Sequence, residues 1–530
     1  MAEAGFALDK LHYIHTKNGC FSKDTLTSAD DIDAMLDEFF SNPPDSGLVI
    51  HFHGGLVPLS QGAKMGSSLT KTYGDGNAFP VFFAWESGAL ETVVNNLRDI
   101  SNEKIFRELL RKALEYALKR VGVGMVVQGF SRSAIQPDEV TTQVDKWFSQ
   151  ELASPPFDDL DMLDAQPTHT FTYKGLSLLE DDAADDAALL EEIKLDAAAD
   201  ERLHKALDEL RDGLADRAVS QHSAVFATKG PIVTLMDPEA IAGLVGPTTD
   251  KVHFGLLEPI TVALTLFKLT KRVLGRLSSG RDHGVFTTTM EEIYRQLYVG
   301  AVGQALLWNQ MKKDTADAFS HKVQPDCEPG GTMFLQKLEA RLKDGDLIPR
   351  ITLVGHSTGA IYICNFLAAA DAVLDQNVKF DVVLLAPAVG FAQFSETMRK
   401  HSSRLNSPGI RSFGMSDELE LKDVMARGFL GAALGRLAYP RSLLYFVSGL
   451  LEDEADLPLL GMQRFFDNEE TYDAHGFPDV VWGRKFLANS TVWSEADQGP
   501  GRCTEAHQHG AFDEDEATLG SLVDILRNGL

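Results

Sequence analysis

Short apolar runs bounded by turn residues recur along the chain, and stretches with helical spacing separate them. The clearest runs cover residues 48–52, 81–85, 351–354 and 382–385, and weaker ones cover 410–415 and 490–493. Runs of this length are typical of buried strands. Because helical patterns alternate with them, we predict an α/β fold whose sheet is mostly parallel.

The second and third runs are separated by residues 86–350, far more than a strand–helix–strand crossover needs. A large, mainly helical insertion must therefore interrupt the sheet between the strand that ends near Trp85 and the next run. We predict three parts, which are the first part of the core over 1–100, an insertion or lid over 101–330, and the second part of the core over 331–530.

Two stretches of the insertion have amphipathic helical spacing. Residues 103–121 place apolar side chains on one face and Lys and Arg on the other, and residues 260–277 set Leu264, Phe267 and Leu274 among basic residues. A core-facing helix is one interpretation of each stretch, and a lid or membrane-surface helix is the other.

A third stretch, residues 180–201, is rich in Asp, Glu and Ala. Such a composition buries little apolar surface. It predicts a solvated helix or a linker rather than a binding site.

Composition narrows the class of protein. The chain has 530 residues, of which 44% are apolar, enough for a large core, and its formal net charge of -28 argues against a nucleic-acid partner. The first residues lack a basic region followed by an apolar run, and no apolar stretch approaches the roughly 20 residues that span a bilayer. We therefore expect a cytoplasmic protein.

The four cysteines, Cys20, Cys327, Cys364 and Cys503, are widely separated and lack Cys-x-x-Cys spacing. This pattern signals neither a zinc site nor a disulfide framework. Free thiols in a reducing compartment are the expectation.

The strongest chemical signal is the pentapeptide GHSTG at residues 355–359, which follows the apolar run 351–354 and precedes a helical pattern over 360–367. Where a strand turns abruptly into a helix, the central residue is forced into strained backbone angles and its side chain points into a cleft. Glycines two positions before and after it remove Cβ atoms that would collide. Ser357 is therefore the candidate nucleophile, and the helix N-terminus favours developing negative charge there.

The first apolar run leads into the loop HGGL at residues 53–56. Gly54 and Gly55 would let the chain approach a reacting carbonyl closely. The backbone N–H of Gly55 or Leu56, together with that of Thr358, could then hold the oxyanion of a tetrahedral intermediate. The choice between Gly55 and Leu56 stays open.

His51 and His53 lie on one face of the first strand, a spacing that also suits a metal ion. No Asp-His pair follows to complete a binuclear metal-hydrolase pattern. We therefore predict that no metal binds and that His53 braces the loop by hydrogen bonds.

An activated serine needs a general base, and the base needs an orienting carboxylate. His507 and His509 lie on a loop just before a helical pattern over 513–526. We favour His509 as the base because it adjoins Gly510, and His507 is the alternative.

The loop after the run 410–415 offers candidates for the orienting acid. Ligands of open α/β sheets collect at the carboxyl ends of the strands. Asp417 is our choice on this ground, with Glu418 and Asp423 as competitors.

Together these segments, which cover residues 45–90 and 345–530, resemble the α/β-hydrolase superfamily in its lipase and esterase branch. The resemblance implies an eight-stranded, mostly parallel α/β-hydrolase sheet, hydrolysis through an acyl-enzyme, and no cofactor. The glycine loop departs from the HGGG form of one esterase subgroup, and the insertion is exceptionally long. The resemblance therefore implies no particular substrate.

The sequence thus predicts a serine hydrolase whose partner is a small-molecule or lipid-like carboxylic ester, and the apolar helices of the insertion favour an acyl substrate. Three alternatives stay open, which are a thioesterase or peptidase on the same triad, a binding protein that keeps only the fold, and a membrane-associated effector in transient contact with a membrane surface. The oligomeric state does not follow from the sequence.

Overall fold

The computed structural model describes residues 8–55, 59–85, 90–125, 135–158, 183–223, 234–245, 254–302, 308–321, 327–344, 348–425, 427–467, 472 and 476–530. Seven strands of these residues form one sheet in which every neighbouring pair is parallel. They are β1 (Tyr13–Thr16), β2 (Leu48–Phe52), β3 (Phe79–Trp85), β4 (Ile351–His356), β5 (Phe380–Leu385), β6 (Leu405–Met415) and β7 (Thr491–Ser494).

The strands lie in the order β1-β3-β2-β4-β5-β6-β7. The α/β class and the parallel sheet are confirmed, and all six predicted runs are strands. The described residues give seven strands where eight were expected, and β1 was not predicted. Its four residues include buried His15 and Thr16, so it carries too short an apolar run to be recognised.

The central position of β2 determines which loops meet. Leu48 pairs with Phe79 of β3 on one side and with Ile351 of β4 on the other. At the far end of the same ladder Phe52 is opposite Gly355. Because the strands are parallel, the HGGL loop after β2 and the GHSTG turn after β4 leave the same edge of the sheet, side by side.

Helices cover both faces of the sheet. Their bounds are α1 (Ala29–Ser41), α2 (Leu59–Asp75), α3 (Leu90–Asn102), α4 (Lys104–Met125), α5 (Pro137–Phe148), α6 (Ala183–Ala199), α7 (Glu201–Ser223), α8 (Pro238–Val245), α9 (Phe254–Ser278), α10 (Val285–Leu297), α11 (Val299–Val302), α12 (Asn309–Asp317), α13 (Gly330–Asp344), α14 (Gly359–Val373), α15 (Phe391–His401), α16 (Asp417–Lys422), α17 (Arg427–Ala438), α18 (Leu443–Phe446), α19 (Arg464–Asp467), α20 (Pro478–Leu487) and α21 (Glu516–Asn528). Short antiparallel pairs join Cys20–Phe21 to Glu328–Pro329 and Ala496–Asp497 to Cys503–Thr504.

The strands contribute alternate residues to two apolar clusters, one on each face. Ile50 and Leu353 belong to the larger cluster, which also contains most of the helices between β3 and β4. Val49 and Val354 belong to the smaller one, under α2 and α21. The sheet is thus buried on both sides, which explains why its strands read as continuous apolar runs.

Between β3 and β4, the described secondary structure consists of helices apart from the two-residue strand Glu328–Pro329. Helix α4 buries Ile105, Leu109 and Leu114, so its core-facing interpretation is confirmed. Helix α9 buries a wider face than the one we inferred.

On α9, the predicted Leu274 is buried and Phe267 is half-buried against the core, whereas Leu264 is exposed. Leu266, Leu269 and Val273 are buried as well, because α9 packs against α4, α6, α8 and α10, which widens its apolar stripe. Within the acidic segment, α6 buries Leu189 and Ile193, and therefore packs against its neighbours rather than standing free in solvent.

The expectation that all four cysteines are free is wrong. Cys20 and Cys327 form a disulfide, with their Cα atoms 5.2 Å apart. They are 307 positions apart, so no local spacing could have indicated the pairing. Cys364 and Cys503 are free. In the part of the chain that the structure describes, no helix is long and apolar enough to cross a membrane.

Candidate active site

Ser357 stands at the turn between β4 and α14. Its φ is +55°, a left-handed conformation that serine rarely adopts. Two backbone hydrogen bonds hold the turn. The Ser357 N–H donates to Leu385 O at 2.8 Å, and the Ser357 carbonyl accepts from the Ala388 N–H at 3.0 Å. Strain of this kind costs on the order of 1 to 3 kcal/mol and persists only where the surrounding chain enforces it.

The two glycines around Ser357 are required by close contacts. A Cβ atom on Gly359 would lie 2.1 Å from the carbonyl oxygen of Phe52, and one on Gly355 would lie 2.7 Å from the Gly359 backbone. Neither position has room for a side chain. The sharp turn predicted from the spacing is present.

The HGGL loop lies directly against this turn. A Cβ atom on Gly54 would lie 3.3 Å from Cβ of Ser357, and one on Gly55 would lie 2.6 Å from Oγ1 of Thr358. Within the described residues, the N–H groups of Gly55 and Thr358 donate to no acceptor. Two free backbone donors beside a serine hydroxyl form the kind of arrangement that can stabilise an oxyanion. Leu56, the alternative donor, lies outside the described residues.

His53 is held by hydrogen bonds at both ring nitrogens. Its Nδ1 is 2.7 Å from Gly54 O and must donate, and its Nε2 then accepts from the Trp85 N–H at 3.3 Å. The ring also stacks on the Trp85 indole, and burial lowers the pKa of His53 to about 4. These contacts are those of a neutral residue that braces the glycine loop.

His51 contacts Tyr73, with 2.7 Å between Nδ1 and the hydroxyl oxygen. Burial lowers its pKa to about 3. Across the described residues, no three His, Cys, Asp or Glu side chains converge in a way that could hold a metal ion.

Helix α12 contributes a residue that the sequence pattern did not indicate. The sulfur of Met311 would lie 3.1 Å from a Cβ atom on Gly55, so the thioether packs over the glycine loop. The helix is tied to α14 by a 2.9 Å hydrogen bond from Asn365 Nδ2 to Thr315 Oγ1. An isolated methionine in a nine-residue helix carries no sequence signal for such a role.

The two candidate bases have different environments. His507 is exposed and pairs with the equally exposed Glu495, with 2.6 Å between Nε2 and Oε1. His509 is buried, and its ring stacks on that of His356, the residue before Ser357, at 5.5 Å between centroids. Of the two, only His509 adjoins the serine turn.

The surroundings of the His509 ring favour its neutral form. Burial is the main cause that lowers its pKa, to about 3; the nearby His356 lowers it further, and Asp513 opposes the shift. Among the described residues neither ring nitrogen has a hydrogen-bond partner, and no hydrogen bond joins the ring to Ser357. The ring can therefore accept a proton but is not engaged in a relay in this state.

The three candidate acids are separated by the structure. Asp417 Oδ1 accepts from the Tyr445 hydroxyl at 2.7 Å, and no described hydrogen bond joins Asp417 to His509, so its assignment stays a prediction. Glu418 is exposed and pairs with Lys422 along α16. Asp423 is buried, and its Oδ2 accepts from the His509 backbone N–H at 3.1 Å.

Comparison of the chain with protein-family models, with curated proteins and with solved structures finds no match. The chemistry must therefore be inferred from the site itself. A strained serine, two free backbone N–H groups and a neutral buried imidazole together suit nucleophilic attack on a carbonyl carbon.

Proposed function

We propose that the protein is a serine hydrolase that cleaves carboxylic esters through an acyl-enzyme, with Ser357 as nucleophile. The observation that carries the proposal is the positive φ of Ser357 at a strand-to-helix turn packed against Gly54 and Gly55. A serine gains nothing structurally from this conformation, and such strain is common at active sites.

In the proposed reaction the Ser357 oxygen attacks the ester carbonyl while its proton passes to His509. The N–H groups of Gly55 and Thr358 donate to the oxyanion. The intermediate collapses as His509 returns the proton to the leaving alcohol, and water then attacks the acyl-enzyme with His509 again as base.

Asp423 is the orienting acid that we propose, in preference to Asp417. Its carboxylate already accepts a hydrogen bond from the His509 main chain, whereas that of Asp417 is held by Tyr445. Catalytic hydrogen bonds often tighten only when substrate is bound, so a rotation of the His509 side chain toward Asp423 and Ser357 belongs to the proposed mechanism.

The apolar contact of Met311 with the oxyanion loop supports an apolar acyl group as substrate. A series of p-nitrophenyl esters from acetate to decanoate tests this point. We expect kcat/KM to rise with chain length. Activity confined to acetate and butyrate would refute the acyl preference, and faster turnover of thioesters or peptides would identify the reaction as one of those.

A fluorophosphonate probe tests the proposed function. We expect intact mass and peptide mapping to show one adduct, on Ser357, in the wild type and none in Ser357→Ala. Ser395→Ala is the matched control, since Ser395 is a buried serine on α15 away from the turn, and it should label like wild type. Folded wild-type protein that resists even a small alkyl fluorophosphonate would rule out the proposal.

A binding protein that has kept the fold without the chemistry is the second candidate. The absence of a hydrogen bond from the His509 ring to any described residue favours it. Ligand binding that survives Ser357→Ala, with no turnover on an ester panel, would decide for it.

A further inference from the structure

His356 lies beneath the serine turn and faces an acceptor with each ring nitrogen. Nε2 donates to the carbonyl oxygen of His509 at 2.9 Å, and Nδ1 is 3.3 Å from Oδ2 of Asp513. Both side chains are buried. The contact between Nδ1 and Oδ2 lies at ion-pair distance and is not a formed hydrogen bond, since neither Nδ1 nor the Asp513 oxygens have a hydrogen-bond partner among the described residues. An imidazole protonated only at Nε2 would face the carboxylate with its Nδ1 lone pair, so these contacts favour a proton on both nitrogens.

The charges around the pair agree with this. Burial by itself would lower the pKa of His356, but the nearby Asp513 carboxylate and the hydrogen bond to the His509 carbonyl outweigh it and raise the pKa. The pKa of Asp513 is lowered, since the nearby His356 more than offsets burial. The other titratable groups that face the pair are kept neutral mainly by burial, which lowers the pKa of His51, His53 and His509 and raises that of Tyr73.

The backbone of His509 is therefore held from both sides. Asp423 accepts from its N–H at 3.1 Å, and His356 donates to its carbonyl. The two imidazole rings also stack, with 29° between their planes. Since His356 precedes Ser357 in the chain, one residue links the serine turn directly to the loop that carries His509.

We propose that His356 and Asp513 form a buried imidazolium–carboxylate pair that positions His509 beside Ser357. The inference rests on the proposed function only in taking His509 as the base. His356 is a positioning residue, because it acts through the His509 carbonyl and touches no reacting atom. Its charge has a second effect, which is to disfavour the protonated form of His509.

Two substitutions separate these effects. His356→Gln keeps an N–H donor but loses the charge, and His356→Leu loses both; each is also made with Asp513→Asn so that no carboxylate is left buried and unpaired. We expect the Leu variant to lose on the order of 10²-fold in kcat/KM, as a misplaced base would. We expect the Gln variant to keep most of the rate, with the acid limb of its pH profile moved to higher pH.

A purely structural role would instead lower the melting temperature of both variants and leave the acid limb where it is. That outcome, or full activity in His356→Leu, would overturn the proposal.

NMR of protein labelled with ¹³C and ¹⁵N in histidine tests the pair without relying on turnover. The His356 signals are identified by their loss in His356→Gln. We expect both ring nitrogens of His356 to carry protons at pH 7, with the His509 ring neutral. A neutral His356 would refute the pair even in an active enzyme, whereas a charged His356 in protein that no fluorophosphonate labels would refute only the proposed function.

Discussion

The carboxylates of Asp417 and Asp423 follow the same strand, β6, but bind different partners. Asp417 belongs to a polar cluster with Tyr445 and Gln463. Its carboxylate accepts from the Tyr445 hydroxyl, and its backbone N–H donates to the Gln463 side-chain oxygen at 2.9 Å. Asp423 contacts the main chain of His509. A carboxylate can orient a catalytic imidazole only from within hydrogen-bond reach.

We therefore predict that Asp423→Asn lowers kcat/KM by about 10²- to 10⁴-fold, the range expected when a triad base loses its acid. Asp417→Asn, the matched control on the same loop, should cost less than about 10-fold because its hydrogen bonds to Tyr445 survive in part. Steady-state kinetics on one ester measure both. A larger loss of kcat/KM in Asp417→Asn than in Asp423→Asn would identify Asp417 as the orienting acid.

The turn around Ser357 could be predicted from the sequence because its signal is local. The glycines at 355 and 359 and the apolar flanks all lie within a few residues of Ser357. The contact of Asp423 with the His509 main chain could not be predicted, since it joins residues that are 86 positions apart. The His356–Asp513 contact is equally remote in sequence, and an elbow histidine has no pattern that indicates its partner.

The burial of His51 should make the free energy of unfolding depend on pH. It stays neutral in the folded chain, where its pKa is about 3, but takes up a proton in the unfolded chain below about pH 6.5. The unfolded state thus binds more protons in this window, and stability is lost as the pH falls through it.

We predict that wild type loses stability relative to His51→Asn by about 1.4 kcal/mol per pH unit below pH 6.5. Urea unfolding at pH 7.5 and 5.0 should show the difference between the two proteins shrinking by about 2 kcal/mol. His204→Asn, at an exposed site on α7, is the control for replacing a histidine by asparagine. A constant difference between wild type and His51→Asn would mean that His51 titrates normally.

At the scale of elements, the apolar runs predicted six of the seven strands because a sheet buried on both faces leaves little room for polar residues. The two features that the sequence did not predict, the buried face of α9 and strand β1, depend on contacts between elements. The buried face of α9 depends on four neighbouring helices, and β1 is fixed by its pairing with β3, from Tyr13 opposite Phe82 to Thr16 opposite Trp85.

The crossing of α14 over β2 gives a prediction for stability. We expect Gly359→Ala to lower the free energy of unfolding by about 3 kcal/mol or more, because its methyl group would collide with the Phe52 carbonyl and the backbone must shift. Gly520→Ala is the matched control, since nothing lies within 4 Å of a Cβ atom at this exposed position in α21. It should raise stability by about 0.5 to 1 kcal/mol.

Both glycine variants are compared by urea denaturation under identical conditions. Equal effects at the two positions would show that β2 and α14 do not approach as closely as described.

At the scale of the whole molecule, the Cys20–Cys327 disulfide joins the segment after β1 to the end of the helical insertion. A cross-link over so long a loop restricts the unfolded chain strongly. We predict that Cys327→Ser lowers the free energy of unfolding by about 2 to 5 kcal/mol. Cys503→Ser, which removes a free and half-exposed thiol, should change stability little.

Thiol titration of the unfolded, unreduced chain checks the pairing directly. Two reactive thiols are expected, those of Cys364 and Cys503. Four would show that the bond is not formed and would restore the expectation drawn from the spacing alone.

The parallel pairing of β2 with β4 also has a consequence for the order of events during synthesis. Until residue 351 is added, β2 has only β3 beside it, and the other row of its backbone N–H and C=O groups has no partner strand. A ribosome takes on the order of 15 to 60 s to add residues 53–351 at ordinary rates. For this long interval the unpaired edge of β2 in the nascent chain is open to aggregation unless the early helices or a chaperone cover it. The yield of folded protein will therefore depend on translation speed.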